Sequence, residues 1–409
     1  MDKLLRSHAD YIVRSSIAAV MPDEAVKKAL DNKSFPGNVY LVSVGKAGWQ
    51  MAKAAYDLMG DQITRGIVVT KYDHVKAPIE NCICYEAGHP VPDENTFRGT
   101  QAVLDMVSDL SEKDTVLFLL SGGGSALFEK PLVSGEVLQD VTGQLLACGA
   151  DIVEINTIRK RLSAVKGGRF ALCCAPAQVY SVVLSDIVGD RLDMIASGPA
   201  YPDSSTCEEA IAIAKKYALE LTEETWELLG QETPKELLNV KTQITGSVRQ
   251  LCKAAENACR ELGYEPIILT DSLSCEARDA GSMMAERLKK SSHKNVAFIA
   301  GGETVVKLTG KGKGGRNQEL ALAAAEGISG VFGTAVFSVG SDGTDGPTDA
   351  AGGYVDYETA KALKAQGIEI ASVLADNDAY HALQAVNGLI FTGPTGTNVN
   401  DVAVALLHK

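Results

Sequence analysis

The stretch TVLFLL at Thr115–Leu120, followed at once by SGGGSA at Ser121–Ala126, decides how the chain folds. A short, continuous apolar run reads as a strand covered on both faces, the kind found in parallel sheets. Three consecutive glycines directly after it are costly in chain entropy. They suit a turn whose bare amides cradle a phosphate or carboxylate, with Ser121 and Ser125 as hydroxyl donors. Ligands of open α/β sheets bind at such strand ends.

Working outward, the same grammar repeats. Further strands are expected at Val39–Val44, Gly66–Thr70, Asn81–Tyr85, Val179–Leu184, Pro266–Thr270, Val296–Ala300, Val305–Leu308, Ala335–Val339 and Ser372–Ala375. Helical periodicity falls between them at Ala47–Met59, Asn95–Ser108, Val248–Leu262, Ala277–Leu288 and Gln318–Ala325. This alternation predicts an α/β protein with largely parallel sheets covered by helices. With 409 residues the chain is too long for one ordinary domain. The polar stretch Leu228–Thr245 reads as a linker, giving domains over 1–236 and 242–409.

Composition narrows the partners. Lys plus Arg number 39 against 52 Asp plus Glu, a net charge of −13 that argues against general nucleic-acid or anionic-membrane binding. No apolar run nears the roughly 18 residues of a spanning helix, and the first residues lack a secretory pattern. A cytoplasmic protein is expected. The nine cysteines form no pair of CxxC motifs, so Cys82, Cys84 and His89 read as packed residues ahead of a metal site.

Four more glycine clusters carry charge. Gly45, Lys46 and Gly48 lie between a strand and a helix, where amides and a lysine can meet an anion. Asp186 and Asp190 follow the strand at Val179–Leu184, and a loop Asp there is a general base, a metal ligand or a plain turn cap. Glu303 precedes the basic run Gly310-Lys311-Gly312-Lys313-Gly314-Gly315-Arg316, with Asn317 next. Its GxGxxG spacing lacks the buried strand and the later acidic residue of a dinucleotide site. A mobile glycine loop bearing cations suits a polyphosphate clamp instead. Asp342, Asp345 and Asp349 fall within eight residues on a glycine-rich loop, a set for a hard cation such as Mg²⁺. A last glycine and hydroxyl loop, Thr392–Asn400, contains Asn398.

Taken in order, VGKAG at Val44–Gly48, EAGHPVPDEN at Glu86–Asn95, SGGGSAL at Ser121–Leu127, SDIVGD with ASGP at Ser185–Pro199, GGET at Gly301–Thr304, GKGGRNQELAL at Gly312–Leu322, SDGTDGPTDAAGG at Ser341–Gly353 and GPTGTNVND at Gly393–Asp401 resemble the class II glycerate kinases. The C-terminal half of that family is called the MOFRL domain. Ala200 and Val305 depart from its usual threonines. The resemblance implies two α/β domains with an interdomain cleft, and transfer of phosphate from ATP to the 2-hydroxyl of D-glycerate.

On that footing Lys46, Asp186 and Arg316 are the catalytic candidates, with Asp190 or Asp345 as other bases and His89 as a packed residue. Gly45, Ser121, Gly122, Gly123, Gly124, Ser125, Lys313, Gly314, Gly315, Asn317 and Asn398 would bind substrate and phosphate. Asp342, Asp345, Asp349 and Glu303 would hold Mg²⁺. D-glycerate and ATP are the expected partners, with no nucleic acid or membrane, and a homodimer is left open. A reductase of hydroxypyruvate using NAD(P)H is the rival activity, and a sugar-acid sensor without turnover is a third class.

Overall fold

In a computed structural model that describes residues 1–185 and 191–409, six strands make the first sheet. They are β1 (Val39–Val44), β2 (Ile63–Lys71), β3 (Cys82–Ala87), β4 (Thr115–Leu120), β5 (Gln178–Leu184) and β6 (Val240–Gly246), in the order β3-β2-β1-β4-β5-β6. The pairs β1–β2, β2–β3, β1–β4 and β4–β5 are parallel. β4 is buried along its whole length, as its apolar run requires. Beneath it Phe118, Phe128 and Phe170 form a ring cluster with centroids 4.8 to 5.8 Å apart. Phe128 thereby ties down the chain just beyond the glycine turn.

The sheet order reverses between β1 and β4, since β2 and β3 lie on one side and β5 and β6 on the other. That reversal leaves a crevice beyond the carboxyl ends of the two strands. Val44 pairs with Leu120, so the turns starting at Gly45 and Ser121 stand side by side. The helix Gly48–Met59 begins after the first turn and buries Met51, Ala52 and Ala55 on one face. The helix Glu94–Val107 starts on a capping box of Asp93 and Thr96.

The second sheet holds β7 (Glu265–Leu273), β8 (Asn295–Gly302), β9 (Thr334–Gly340), β10 (Gly352–Asp356), β11 (Leu389–Ile390) and β12 (Asp401–His408), in the order β11-β10-β9-β12-β8-β7. Helices Ala277–Lys290 and Arg316–Ile328 supply Met284, Leu288, Leu320, Ala324 and Ile328 to its core. β7 and β8 are parallel, whereas β12 runs antiparallel to both β8 and β9, and β10 to β9 and β11. Four strands still share one direction. β12 follows β11 through a loop without a crossover helix, so it enters against its neighbours.

Two of the expected strands are absent. At Val305–Leu308 only Val305 makes a bridge, to Glu276, and Ser372–Ala375 lies in the helix Ile370–Ala375. The expected linker Leu228–Thr245 contains most of β6 instead of an irregular connection. The compact units also divide differently from the expected 1–236 and 242–409. Among the described residues, Met1–Glu24 groups with Gly246–Lys409, and Ala25–Ser185 with Arg191–Thr245. The cause is the amphipathic helix Lys3–Ala18, which buries Leu5, Ile12 and Val13. Its Arg6 donates to the carbonyls of Asn387 and Leu389 at 3.1 and 3.0 Å. Among the described residues no helix is long and apolar enough to cross a membrane. All nine cysteines are free.

Candidate functional site

At the β1/β4 reversal, the amide of Lys46 donates to the Gly122 carbonyl at 2.9 Å, and that of Ser121 to Val44 at 2.9 Å. The Ser121 hydroxyl, expected to face a ligand, is buried. It donates to the Val44 carbonyl at 3.2 Å and accepts from the Ala47 amide at 3.1 Å. Ser121 therefore locks the two turns together, and Lys46 is left exposed above them. A Cβ on Gly45 would lie 2.3 Å from Ser121 Oγ, so the turns touch directly.

Gly123 has φ +85°, the left-handed region that favours glycine. It ends the turn just before the short helix Gly124–Leu127. A Cβ there would meet His89 Nε2 at 3.1 Å and Lys46 Cγ at 3.2 Å. The structure thus brings His89 to the same point as Lys46 and the glycine turn, where sequence reasoning expected a packed residue. Burial, then the charges of Lys46, Lys71 and His74, push the His89 imidazole below its ordinary pKa.

Beneath the turn, the Ser125 carbonyl accepts from Arg159 Nη2 and Lys166 Nζ, each at 3.0 Å. Glu129 is fully buried, with Oε2 at 3.4 Å from Lys166 and 3.8 Å from Arg159. Burial pushes the Lys166 ammonium down to about 8, against the pull of Glu129. The Ser125 hydroxyl meets Ser197 Oγ at 3.4 Å, and Ser197 donates to Asn156 Oδ1 at 2.7 Å. None of these supports was read from the sequence, apart from Ser125 itself.

In the other unit, Asp401 at the start of β12 pairs with Gly302 at the end of β8 and Gly340 at the end of β9. Its carboxylate receives Arg316 Nε at 2.5 Å and Nη2 at 3.0 Å. Arg316 Nη1 reaches Glu303 at 2.8 Å. Burial opposes the charge of this guanidinium, but Asp401 and Glu303 outweigh it and raise its pKa. Asp401 was missed as a site residue, although the last motif quoted above ends on it.

Asp345 is buried and caps the helix Arg316–Ile328 from outside. Its oxygens accept from the amides of Asn317 at 3.1 Å and Gln318 at 2.8 Å. Burial raises its pKa to about 6, against the pull of those amides. Asn317 adds its own Nδ2 to Asp345 at 3.3 Å and receives the Ser338 hydroxyl at 2.5 Å. It is a brace for the helix start, not an exposed ligand donor.

The basic glycine loop is pinned, contrary to the expectation of mobility. Asn377 Oδ1 accepts from the amides of Thr309 and Gly310 at 2.8 and 2.9 Å. The amides of Lys311 and Lys313 reach Asp376 and Asp378 at 3.0 and 2.9 Å, and that of Gly312 reaches the Asp376 carbonyl at 2.8 Å. A Cβ on Gly312 would sit 2.4 Å from Asp378 Cβ. This glycine admits a neighbouring backbone, not a phosphate. Lys313 Nζ lies 4.0 Å from the centre of the Tyr380 ring, and Tyr380 donates to Asp349 at 2.7 Å.

Among the described residues the four expected metal ligands form no group of three or more within ligand distance. Asp345 is taken by helix amides, Asp349 by Tyr380 and one Glu303 oxygen by Arg316, while Asp342 Oδ1 accepts from the Thr344 amide at 2.9 Å. Among the described residues, Cys207, Glu208 and Glu232 make the only three-ligand group with atoms within 4.8 Å of one another. Asn398 is exposed, and its Oδ1 accepts from the Asn400 amide at 3.4 Å. Gly314 lies against Asn377 and Ala379, and Gly315 against Asp345. Asp186, the expected base, and Asp190 lie outside the described residues.

Comparison with known proteins adds a second line. A domain of unknown function, DUF4147, matches residues 8–230, and the MOFRL family matches residues 296–401. The sequence is 53% identical to the D-glycerate 2-kinase of Thermotoga maritima over 98% of each chain. It is 40% identical to the glycerate 2-kinase of Pyrococcus horikoshii, over 97% of this chain and 96% of that one. An Agrobacterium vitis protein named putative hydroxypyruvate reductase is 36% identical, over 91% of this chain and 100% of that one. The crystal structure of a glycerate kinase from Thermotoga maritima superposes with a TM-score of 0.96, covering 99% of this chain and 100% of that one, at 53% identity.

Proposed function

The chain belongs to the glycerate kinase family that joins a DUF4147 domain to a MOFRL domain, and we propose that the β1/β4 turns bind its acid substrate and that the strand ends around Arg316 bind phosphate. The reaction moves phosphate from ATP to the 2-hydroxyl of D-glycerate, giving 2-phosphoglycerate and ADP. The observation that carries the site assignment is the β1/β4 reversal, where exposed Lys46, His89 and the glycine turn meet at one point.

Phosphoryl transfer asks a protein mainly for positioning and for charge opposite the equatorial phosphoryl oxygens. Lys46 and the turn Gly122–Ser125 would take the glycerate carboxylate, with the buried Lys166 and the partly buried Arg159 behind them. Arg316 would meet phosphoryl oxygens, held in orientation by Asp401. Lys313, fixed over Tyr380, would add a second cation.

Mg²⁺ ordinarily takes one or two carboxylates and fills its shell with water and phosphate oxygens. The residues fit that sparse mode better than a closed cage. Among the described residues, Asp342 Oδ2 and Glu303 Oε2 accept no hydrogen bond, so these two would hold the ion. Bound there, it would neutralise phosphate charge.

A reductase finds less support. The one GxGxxG run places Gly310 and Gly312 against the backbone at 376–378, leaving no dinucleotide turn. Nine free thiols suit a reducing, cytoplasmic setting. Phosphorus NMR of D-glycerate, ATP and Mg²⁺ with the enzyme tests the reading: a 2-phosphoglycerate signal is expected. Consumption of NAD(P)H with hydroxypyruvate, and no phosphoglycerate, would overturn it.

A further inference from the structure

Of the six histidines, four have a hydrogen-bond partner on Nδ1: His8 on Tyr264, His74 on the Lys46 carbonyl, His293 on Glu265 and His381 on Asp378. His408 Nδ1 is buried without a hydrogen-bond partner, its ring packed edge-on against His8 and tilted against Tyr264. His89 differs in standing beside the glycine turn and the Lys46 stem. Among the described residues neither of its ring nitrogens has a hydrogen-bond partner, and the ring is only half-buried. Its Nε2 edge lies over the left-handed Gly123, next to the Lys46 stem. A larger residue at 123 would close that space.

We propose that His89 is a catalytic residue, whose Nε2 accepts the proton of the glycerate 2-hydroxyl during transfer. The proposal rests on the kinase reading above and adds a task to the same site. As the hydroxyl oxygen bonds to the γ-phosphorus, its proton passes to Nε2. The bond from that phosphorus to the bridging oxygen breaks, and the electron pair leaves on ADP. The imidazolium then returns its proton to water.

The surroundings favour a ring that arrives neutral. Lys46, Lys71 at the end of β2, and His74 face it as cations or latent cations. The nearby acids are occupied: Glu86 Oε1 accepts from the amides of His74 and Val75, each at 2.9 Å, and Asp93 holds Thr96 and Tyr72. No carboxylate hydrogen-bonds the imidazole among the described residues. Lys46 can meet the anionic end of glycerate while Nε2 meets its hydroxyl. A neutral base pressed against a lysine is suited to this pair of tasks.

The test compares wild type, His89→Asn, His89→Ala and Asp186→Asn from pH 5 to 9, reading kcat/KM for D-glycerate and the product by phosphorus NMR. Wild type should lose kcat/KM on acidification with a midpoint below the ordinary histidine value of about 6.5, because burial and the neighbouring cations lower the pKa of the ring. His89→Asn should lower kcat about 100-fold or more and abolish that acidic limb, and Asp186→Asn should keep the limb. Added imidazole should restore part of the rate to His89→Ala, a rescue that a folding defect would not show. A limb that survives in His89→Asn, or that vanishes in Asp186→Asn, overturns the proposal. Wild type that makes no phosphoglycerate sinks the kinase reading, whereas a productive wild type with an unchanged His89→Asn profile sinks this proposal alone.

Discussion

Asp401 grips Arg316 edge-on, with Nε at 2.5 Å and Nη2 at 3.0 Å on separate carboxylate oxygens. The third nitrogen, Nη1, turns to Glu303 at 2.8 Å. A planar fork held this way is oriented as well as charged, and a lysine cannot reproduce it. Arg316→Lys should therefore lower kcat by about 10²–10³-fold, with little change in melting temperature because Arg316 is partly exposed. Asp401→Asn should produce a smaller fall, since the cation stays but its orientation loosens. Steady-state kinetics with a coupled ADP assay would decide, and equal rates for Arg316→Lys and wild type would refute the fork.

Asp345 gives stability a readable pH signature. Its pKa is about 6 in the folded protein, above the ordinary 3.8. A group with a raised folded pKa contributes fully below the unfolded value and loses that contribution as pH rises through the folded one. The stability of wild type relative to Asp345→Asn should thus be greatest below pH 4 and shrink by about 2–3 kcal/mol by pH 7. Urea titrations of both proteins at pH 4, 5, 6 and 7 measure it. A constant difference would show that Asp345 titrates normally.

Lys166 and Glu129 are both fully buried. Lys166→Met would leave Glu129 with only the 3.8 Å contact to Arg159. Breaking a buried pair costs about 3–5 kcal/mol, whereas removing both charges costs far less. The double variant Glu129→Gln, Lys166→Met should recover at least half of the loss, seen as urea midpoints at an unchanged slope. No recovery would mean that Lys166 acts through the Ser125 and Phe128 carbonyls alone.

Asn377 pins the basic loop through its side chain and itself adopts the left-handed conformation, at φ +56°. Asn377→Gly keeps the backbone freedom and loses the two amide contacts. Asn377→Ala loses both. KM for ATP should rise in each, by several-fold in the glycine variant and more in the alanine one. An unchanged KM would separate this loop from nucleotide binding.

The legible parts of the molecule were local. β1 and β4 are bounded as their apolar runs suggested, and VGKAG and SGGGSA fall at the sheet reversal as strand-end turns should. What escaped reading was contact across sequence. Three carboxylates in eight residues read as a cation site, because nothing near Asp345 announces the amides of Asn317 and Gln318, 28 and 27 positions earlier. The glycines at 310 and 312 read as phosphate-facing because their true neighbours, Asp376 and Asp378, lie some 65 positions on. Ser372–Ala375 failed for another reason: a run of four residues has no period that tells a buried strand from a helix.

β12 lies in the middle of its sheet although it is synthesised after every strand around it. Until residues 401–408 are made, the edges of β8 and β9 that β12 covers have no strand to pair with. The anchor of the guanidinium travels with the missing ribbon, so the nascent chain carries Arg316 for some 85 residues before Asp401 arrives. Chaperone binding to the nascent chain should concentrate on those uncovered edges.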